Sequence, residues 1–401
     1  EFFMIDEQKI VYETALELAH KSTVKEKHVL IVEGGPGTGK SVVAINLLVH
    51  LTGKRLVCQY VTKNAAPRAV YESVLTGSFT KTHITNMFRG SGSYTTTEEN
   101  VFDTLIVDEA HRLNAKSGMY QNLGENQIKE IINASKFSIF FIDEDQRVTW
   151  KDIGKKQEIE NWAFRLGATV HKLELHSQFR CNGSNGYLAW LDNVLDIKET
   201  ANETLNDIYY DFRIFDSPIR LKEAIFKKNK INNKARLVAG YCWNWASKKA
   251  ENSSLNDIII EEHDFAMQWN LSTDSSLWIR KPNSVSEVGC IHTCQGLEVD
   301  YIGVIIGPDF IVRNGEVIIQ PDKRARTDQS LKGYKSAFKE NPDSATQKAE
   351  TIIKNTYRTL MTRGQKGCYI FCTDPETNTY FEKVAKSIVE LQEQDVTNKI
   401  G

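Results

Sequence analysis

The sequence predicts an α/β protein built on open, largely parallel sheets, and three observations carry this. Strand-length apolar runs alternate with helical patterns along most of the 401 residues. The first clear strand feeds a glycine-rich turn that opens at once into an apolar helix. Polar residues gather where several of the apolar runs end, and in an open parallel sheet that edge bears the ligand.

The elements follow in chain order. A helical pattern (Ile10, Val11, Ala15, Leu16, Leu18) begins almost at once after Glu1-Phe2-Phe3-Met4; with no initiator methionine, the expectation is a piece of a longer protein. Val29-Leu30-Ile31-Val32 reads as a strand, and Val42, Val43, Ala44, Ile45, Leu47 and Leu48 as the apolar side of a helix. Between them lies Gly34-Gly35-Pro36-Gly37-Thr38-Gly39-Lys40-Ser41, a phosphate loop in its proper strand–loop–helix frame. Its glycines let successive backbone N–H groups converge on phosphate oxygens, and the helix N-terminus adds the positive end of its dipole. Gly35, Pro36, Gly37, Thr38 and Gly39 are thus candidate phosphate-cradling residues; Lys40 would reach the β- and γ-phosphates, and Ser41 would hold Mg²⁺. A dinucleotide fingerprint has no use for a Lys-Ser pair here, so a nucleoside triphosphate is the expected ligand.

Leu56–Val61 is the next strand, ending in the polar turn Thr62-Lys63-Asn64. Thr104-Leu105-Ile106-Val107 closes on Asp108-Glu109-Ala110-His111, a Walker B arrangement. A strand-end aspartate suits Mg²⁺, and an adjacent glutamate suits orienting or deprotonating the attacking water. Phe137–Ile142 closes on Asp143-Glu144-Asp145-Gln146, which puts Gln146 where a γ-phosphate or water sensor belongs. A second α/β segment begins near His171, with strands at Arg236–Gly240, Val288–Ile291, Tyr301–Ile306 and Gly367–Cys372. The predicted division is 1–168 and 169–401, with insertions at about 181–235 and 311–350. The basic tetrad Lys323-Arg324-Ala325-Arg326 in the second insertion reads as a solvated loop in preference to a phosphate contact.

Composition is that of an ordinary globular chain, 41% hydrophobic and 25% charged. A net charge of −2 gives no global basic field, which leaves a basic surface confined to one channel open. No apolar run reaches the length of a membrane span and no signal-peptide pattern is present, so a cytoplasmic location and no membrane partner are expected. The seven cysteines read as reduced thiols, with Cys290/Cys294 and Cys368/Cys372 placed in the core and no histidine cluster to complete a zinc site. Phe88, Trp243 and Trp245 are assigned to the core in preference to base stacking.

Taken in order, Gly34–Ser41, Tyr60–Ala66, Asp108–His111, Asp143–Gln146, Gln178-Phe179-Arg180, Ile291–Glu298 and Tyr357–Arg363 resemble the motif set of superfamily-one helicases. Within that class the segments Val32–Val43 and Tyr241-Cys242-Trp243-Asn244-Trp245 are most similar to the bacterial Schlafen-like ATPases. The resemblance implies two RecA-like lobes with ATP in the cleft between them. It implies that Gln8 reads adenine, that Glu298 meets the ribose, and that Arg180 and Arg363 approach the γ-phosphate. It also implies that Thr62, Lys63, Asn64, Thr293, Gln295 and Gly296 hold the backbone of single-stranded DNA or RNA. Short polar side chains and exposed N–H groups at strand ends suit such contacts without reading sequence.

The short interval between Lys63 and Asp108 leaves little room for a large accessory domain, and Cys181–Ser286 can hold some accessory structure but not a large duplex-engaging insertion. An ATP-dependent helicase or translocase is therefore weighed against a nucleic-acid-stimulated ATPase switch for a fused or partner effector such as a nuclease. A non-catalytic nucleotide-binding module is disfavoured, because Lys40, Ser41, Asp108, Glu109 and Arg363 are all intact.

Overall fold

Strand β1 (His28–Gly34) alternates its side chains between two apolar layers, and that alternation organises the first half of the protein. The computed structural model describes residues 4–63, 81–118, 122–177, 185–202, 204–205, 208–247, 255–270, 278, 281–294 and 298–385. The chain divides into two compact units, 1–179 and 180–401.

In the first unit, six parallel strands lie in the order β3-β2-β4-β5-β1-β6. They are β1, β2 (Cys58–Val61), β3 (Phe88–Arg89), β4 (Phe102–Val107), β5 (Ser135–Ile142) and β6 (Thr169–Leu175). Leu30 and Val32 face the layer formed by α1 (Asp6–Lys21) and α2 (Lys40–Gly53), which contribute Val11, Leu18, Val43, Leu47 and Leu51. Val29 and Ile31 face the opposite layer, where helices Gln127–Ala134 and Lys156–Arg165 contribute Ile128, Ile131, Ile132 and Ile159. Burying each of these larger side chains contributes roughly 1.5–3 kcal/mol. Both faces are covered, as a parallel sheet requires.

The second unit has its own five-stranded parallel sheet in the order β11-β8-β12-β15-β7. Its strands are β7 (Asp211–Ile214), β8 (Ala235–Ala239), β11 (Val288–Gly289), β12 (Val299–Ile306) and β15 (Gly364–Cys372). Two antiparallel hairpins are added to it: β9 (Ile258–Ile260) with β10 (Phe265–Met267), and β13 (Phe310–Arg313) with β14 (Glu316–Ile319). The α/β fold of parallel sheets expected from the sequence is thus present in both units, the RecA-like architecture.

Two expected boundaries need correction. The first unit does not end at 168, because β6 pairs with β1 along its whole length, from His28↔Thr169 to Gly34↔Leu175. As an edge strand it is only partly covered and carries Thr169, His171 and Lys172, so Thr169-Val170-His171-Lys172 reads as the start of something new. Nor is 181–235 wholly an insertion. β7 is the edge of the second sheet, and helix Pro218–Asn232 buries Leu221 and Ile225 in its core. Polar Asp211 and Arg213 on β7 hide it from an apolar search.

The basic tetrad is a further correction. Lys323 and Arg326 are exposed, but Arg324 is buried and bonded to three partners. It donates to Asp309 at 2.9 Å, to Asp328 at 2.8 Å and to Ser330 at 2.9 Å. Burial works against its charge, and Asp328 and Asp309 outweigh burial and raise its pKa. Tyr357 completes the cluster, donating its hydroxyl to Asp309 and accepting the Gly307 N–H at 2.9 Å. The segment after β14 is therefore locked to the sheet edge by buried charge.

Cys58, Cys290, Cys294, Cys368 and Cys372 are buried free thiols, in line with the core reading. Phe88 is buried as well, while Trp243 and Trp245 pack half-buried against the second core. Among the described residues no group of three or more His, Cys, Asp or Glu could hold a metal, and no helix is long and apolar enough to cross a membrane.

Candidate nucleotide site and strand-binding loops

The C-terminal ends of β1, β2, β4 and β5 lie along one edge of the first sheet, and the expected residues of the first unit converge there. The phosphate loop leaves β1 and turns into α2. Gly39 takes φ 83° at the helix N-cap, in the left-handed region that disfavours side chains. It is also sterically enclosed, since a Cβ there would lie 2.2 Å from the Gln8 amide nitrogen. Gln8 itself is buried and donates to the Thr38 carbonyl at 3.0 Å, so it braces the loop from α1. The Thr38 hydroxyl donates to the Gly35 carbonyl at 3.0 Å.

Lys40 is buried at the start of α2, and its ammonium donates to the carbonyls of Gly34 at 2.5 Å and Gly35 at 2.7 Å. Ser41, the next residue, donates its hydroxyl to Asp108 at 2.6 Å. Asp108 also accepts the Tyr60 hydroxyl at 2.5 Å and the Glu109 N–H at 2.9 Å. Burial, and then the neighbouring Glu109 carboxylate, push the Asp108 pKa up. A buried acid pair beside a serine hydroxyl is a donor set that a hard divalent cation would satisfy, so the residues fit Mg²⁺ at Ser41 and Asp108.

Glu109 sits at φ 56°, a left-handed position for a non-glycine residue, at the start of the short turn Ala110–Arg112. Its carboxylate lies 3.0 Å from His111 Nε2. His111 Nδ1 accepts the Asp143 N–H at 3.4 Å. Asp143 in turn accepts from the Gln146 amide at 2.7 Å. Glu109 and Gln146, assigned separately from the sequence, are thus linked through His111 and Asp143.

Thr62 and Lys63 leave the end of β2. Thr62 is buried, and its hydroxyl has no hydrogen-bond partner among the described residues. The Lys63 ammonium donates to Asn114 at 2.9 Å and lies 3.3 Å from Asp152. Burial, and then Arg112, lower its pKa to about 8, with Asp152 acting in the opposite direction.

In the second unit, Arg363 is buried between helix Pro342–Met361 and β15 and donates to the Thr359 carbonyl at 3.1 Å. Its own carbonyl accepts the Val299 N–H at 3.1 Å, which brings it beside the chain leaving Glu298. Glu298 is exposed and accepts from Gln365 at 2.6 Å. Thr293 is buried, with its hydroxyl donated to Asn270 at 2.7 Å. Asn64, Arg180, Gln295 and Gly296 lie outside the described residues.

Sequence reasoning gave no role to Tyr60, His111, Arg112 or Asp152. A Tyr one residue from the end of a strand beside Walker B was the available signal for the first of these. His111 closes the Asp108–His111 motif without a role having been read from it, and Arg112 and Asp152 are contacts of folding with no spacing rule.

Among known proteins, an uncharacterized protein of Saccharomyces cerevisiae is 24% identical over 89% of this chain and 84% of its own length. The solved structure of Pif1 helicase from Candida albicans aligns over 100% of both chains at 11% identity, with a TM-score of 0.39. A DNA replication initiation factor aligns over 50% of this chain and 55% of its own, at 15% identity and a TM-score of 0.26, so the chain spans about half of that relative. The family profile described as Schlafen group 3, DNA/RNA helicase domain matches residues 27–374, from the start of the first sheet to just past the end of β15. That match covers most of the chain, which therefore belongs to the Schlafen group 3 DNA/RNA helicase domain family.

Proposed function

We propose that this chain is an ATP-dependent nucleic-acid motor, a helicase or single-strand translocase that hydrolyses ATP with Mg²⁺. The observation that carries the reading is the bonded set Ser41, Asp108 and Glu109 beside Lys40 of the phosphate loop, at one sheet edge. Phosphate oxygens would take the Lys40 ammonium from the Gly34 and Gly35 carbonyls and receive the backbone N–H groups of Gly35 and Gly37–Ser41. Ser41 and Asp108 would hold Mg²⁺, which when bound neutralises charge on the transferring phosphoryl group. Glu109, oriented by His111, takes the position of general base toward the attacking water, and Gln146 that of the sensor beside it.

Gln8, through its bond to Thr38, ties adenine recognition to the shape of the phosphate loop. Arg363 and Arg180 are assigned to the γ-phosphate and Glu298 to the ribose, as the family motifs imply. Thr62, Lys63 and Asn64 of the first lobe and Thr293, Gln295 and Gly296 of the second hold the strand backbone.

The test is ATP turnover with and without single-stranded DNA and RNA, with Lys40→Ala as control. Strand-stimulated turnover that Lys40→Ala abolishes is expected. Turnover no greater than that of the Lys40→Ala protein under every condition would end the enzyme reading. A strand-displacement assay on tailed duplexes then separates unwinding from translocation or switching.

A further inference from the structure

Asp152 lies outside the nucleotide site, yet three chain segments of the sheet edge meet at its carboxylate. The side chain is fully buried. Oδ1 accepts the Thr149 hydroxyl at 2.7 Å and faces the Lys63 ammonium at 3.3 Å. Oδ2 accepts the N–H groups of Val148 at 3.2 Å and Thr149 at 3.0 Å, and faces Arg112 Nε at 3.2 Å. Lys63 belongs to the loop after β2, Arg112 to the short turn that begins at Glu109, and Thr149 to the chain just past Gln146. Backbone contacts fix the same arrangement. Ile153 N–H donates to the Leu113 carbonyl at 2.8 Å, and a Cβ on Gly154 would stand 2.0 Å from the Ala110 carbonyl oxygen.

We propose that Asp152 is a positioning residue that competes with a nucleic-acid phosphate for Lys63 and relays the outcome through Arg112 to Glu109. The inference rests on the strand-binding reading of Lys63. One buried carboxylate here serves two cations. A phosphate that takes Lys63 leaves Arg112 as the remaining cation on Asp152, in surroundings where unscreened charge acts strongly. Arg112 N–H donates to the Glu109 carbonyl at 2.9 Å, so a shift of the Arg112–Asp152 pair moves the turn that presents the base. Asn114 is the second holder of the Lys63 ammonium, at 2.9 Å, and that is the bond its side chain makes among the described residues.

The experiment measures binding of labelled single-stranded DNA and RNA over a salt series, together with strand-stimulated ATP turnover. The proteins are the full chain, Asp152→Asn, Lys63→Met and the double variant. No binding of either strand by the wild type would remove the functional reading itself. Given wild-type binding, Asp152→Asn is expected to bind about three- to tenfold more tightly while its stimulation by strand falls about tenfold, each tenfold corresponding to ~1.4 kcal/mol. Lys63→Met is expected to weaken binding and to reduce the salt slope by about one. In that background Asp152→Asn is expected to add nothing.

A merely structural Asp152 would lower affinity when replaced. Unchanged or weaker binding by folded Asp152→Asn, or tightening that persists without Lys63, overturns the proposal. If Asp152→Asn does not fold, Asn114→Ala carries the same expectation of tighter binding, and unchanged or weaker binding there overturns it.

Discussion

Asp108 and Asp152 are two buried aspartates at the same edge of the first sheet, and their surroundings drive them in opposite directions. Asp108 receives two neutral hydroxyls, from Ser41 and Tyr60, and has the Glu109 carboxylate as its neighbour. Burial and Glu109 hold it above the ordinary carboxylate range. Asp152 is equally deep, but Arg112 and Lys63 outweigh burial and hold it below that range. Depth alone therefore does not set the state of a buried acid; the sign of its neighbours does. The first arrangement suits a carboxylate that takes its counter-charge from a ligand, and the second suits one whose counter-charge is supplied by the fold.

The largest expected effect is on the ligand-dependent side. Glu109→Gln should still bind ATP while hydrolysing it about 10²–10⁴-fold more slowly, read by single-turnover hydrolysis. Unchanged turnover would take Glu109 out of its role. Tyr60→Phe removes a hydroxyl from Asp108, and the Mg²⁺ concentration for half-maximal turnover should rise about ten- to hundredfold. Identical Mg²⁺ titrations would show that this hydroxyl does not tune the site.

Stability without nucleotide or metal sharpens the contrast. Asp152→Asn keeps the shape but removes the charge facing two cations, and should cost about 1–3 kcal/mol in urea unfolding. Asp108→Asn should cost nothing or stabilise, because it removes a disfavoured charge; equal losses in the two variants would break the comparison.

The smallest effect is in the pH dependence of those differences. Asp152 has a depressed pKa in the folded chain, so its stabilisation is complete above the unfolded value of ~3.9 and fades as pH falls through its lower folded value. Asp108 has a raised one, so the wild type loses ground to Asp108→Asn as pH climbs from ~3.9 through the folded value. Unfolding midpoints measured against pH, free of divalent cations, check both signs.

What the sequence disclosed follows the same division. Lys40, Ser41, Asp108 and Glu109 were legible because each belongs to a contiguous pattern whose spacing is dictated by a phosphate or a cation. The bond from Tyr60 to Asp108, the link from Glu109 through His111 to Asp143, and the meeting at Asp152 join residues separated along the chain and leave no periodic trace. The parallel sheets were legible from buried apolar runs such as Leu105-Ile106-Val107, whereas the polar edge strands β6 and β7 were not, and both misplaced boundaries arise from them. The Lys323–Arg326 run shows a limit of another kind. Charge runs are solvated by default, and only the fold reveals that Arg324 has buried acids to meet.

The Arg324 cluster also separates two responses along an ionic-strength axis. Mobile ions screen charges on a wet surface over about 8 Å at physiological salt, but they do not enter a dry interior. A strand bound at the wet surface should therefore dissociate at moderate salt, while the charges that Arg324 shares with Asp309 and Asp328 are screened far less. Washing in concentrated salt should accordingly strip adventitious nucleic acid from the purified chain and return it folded.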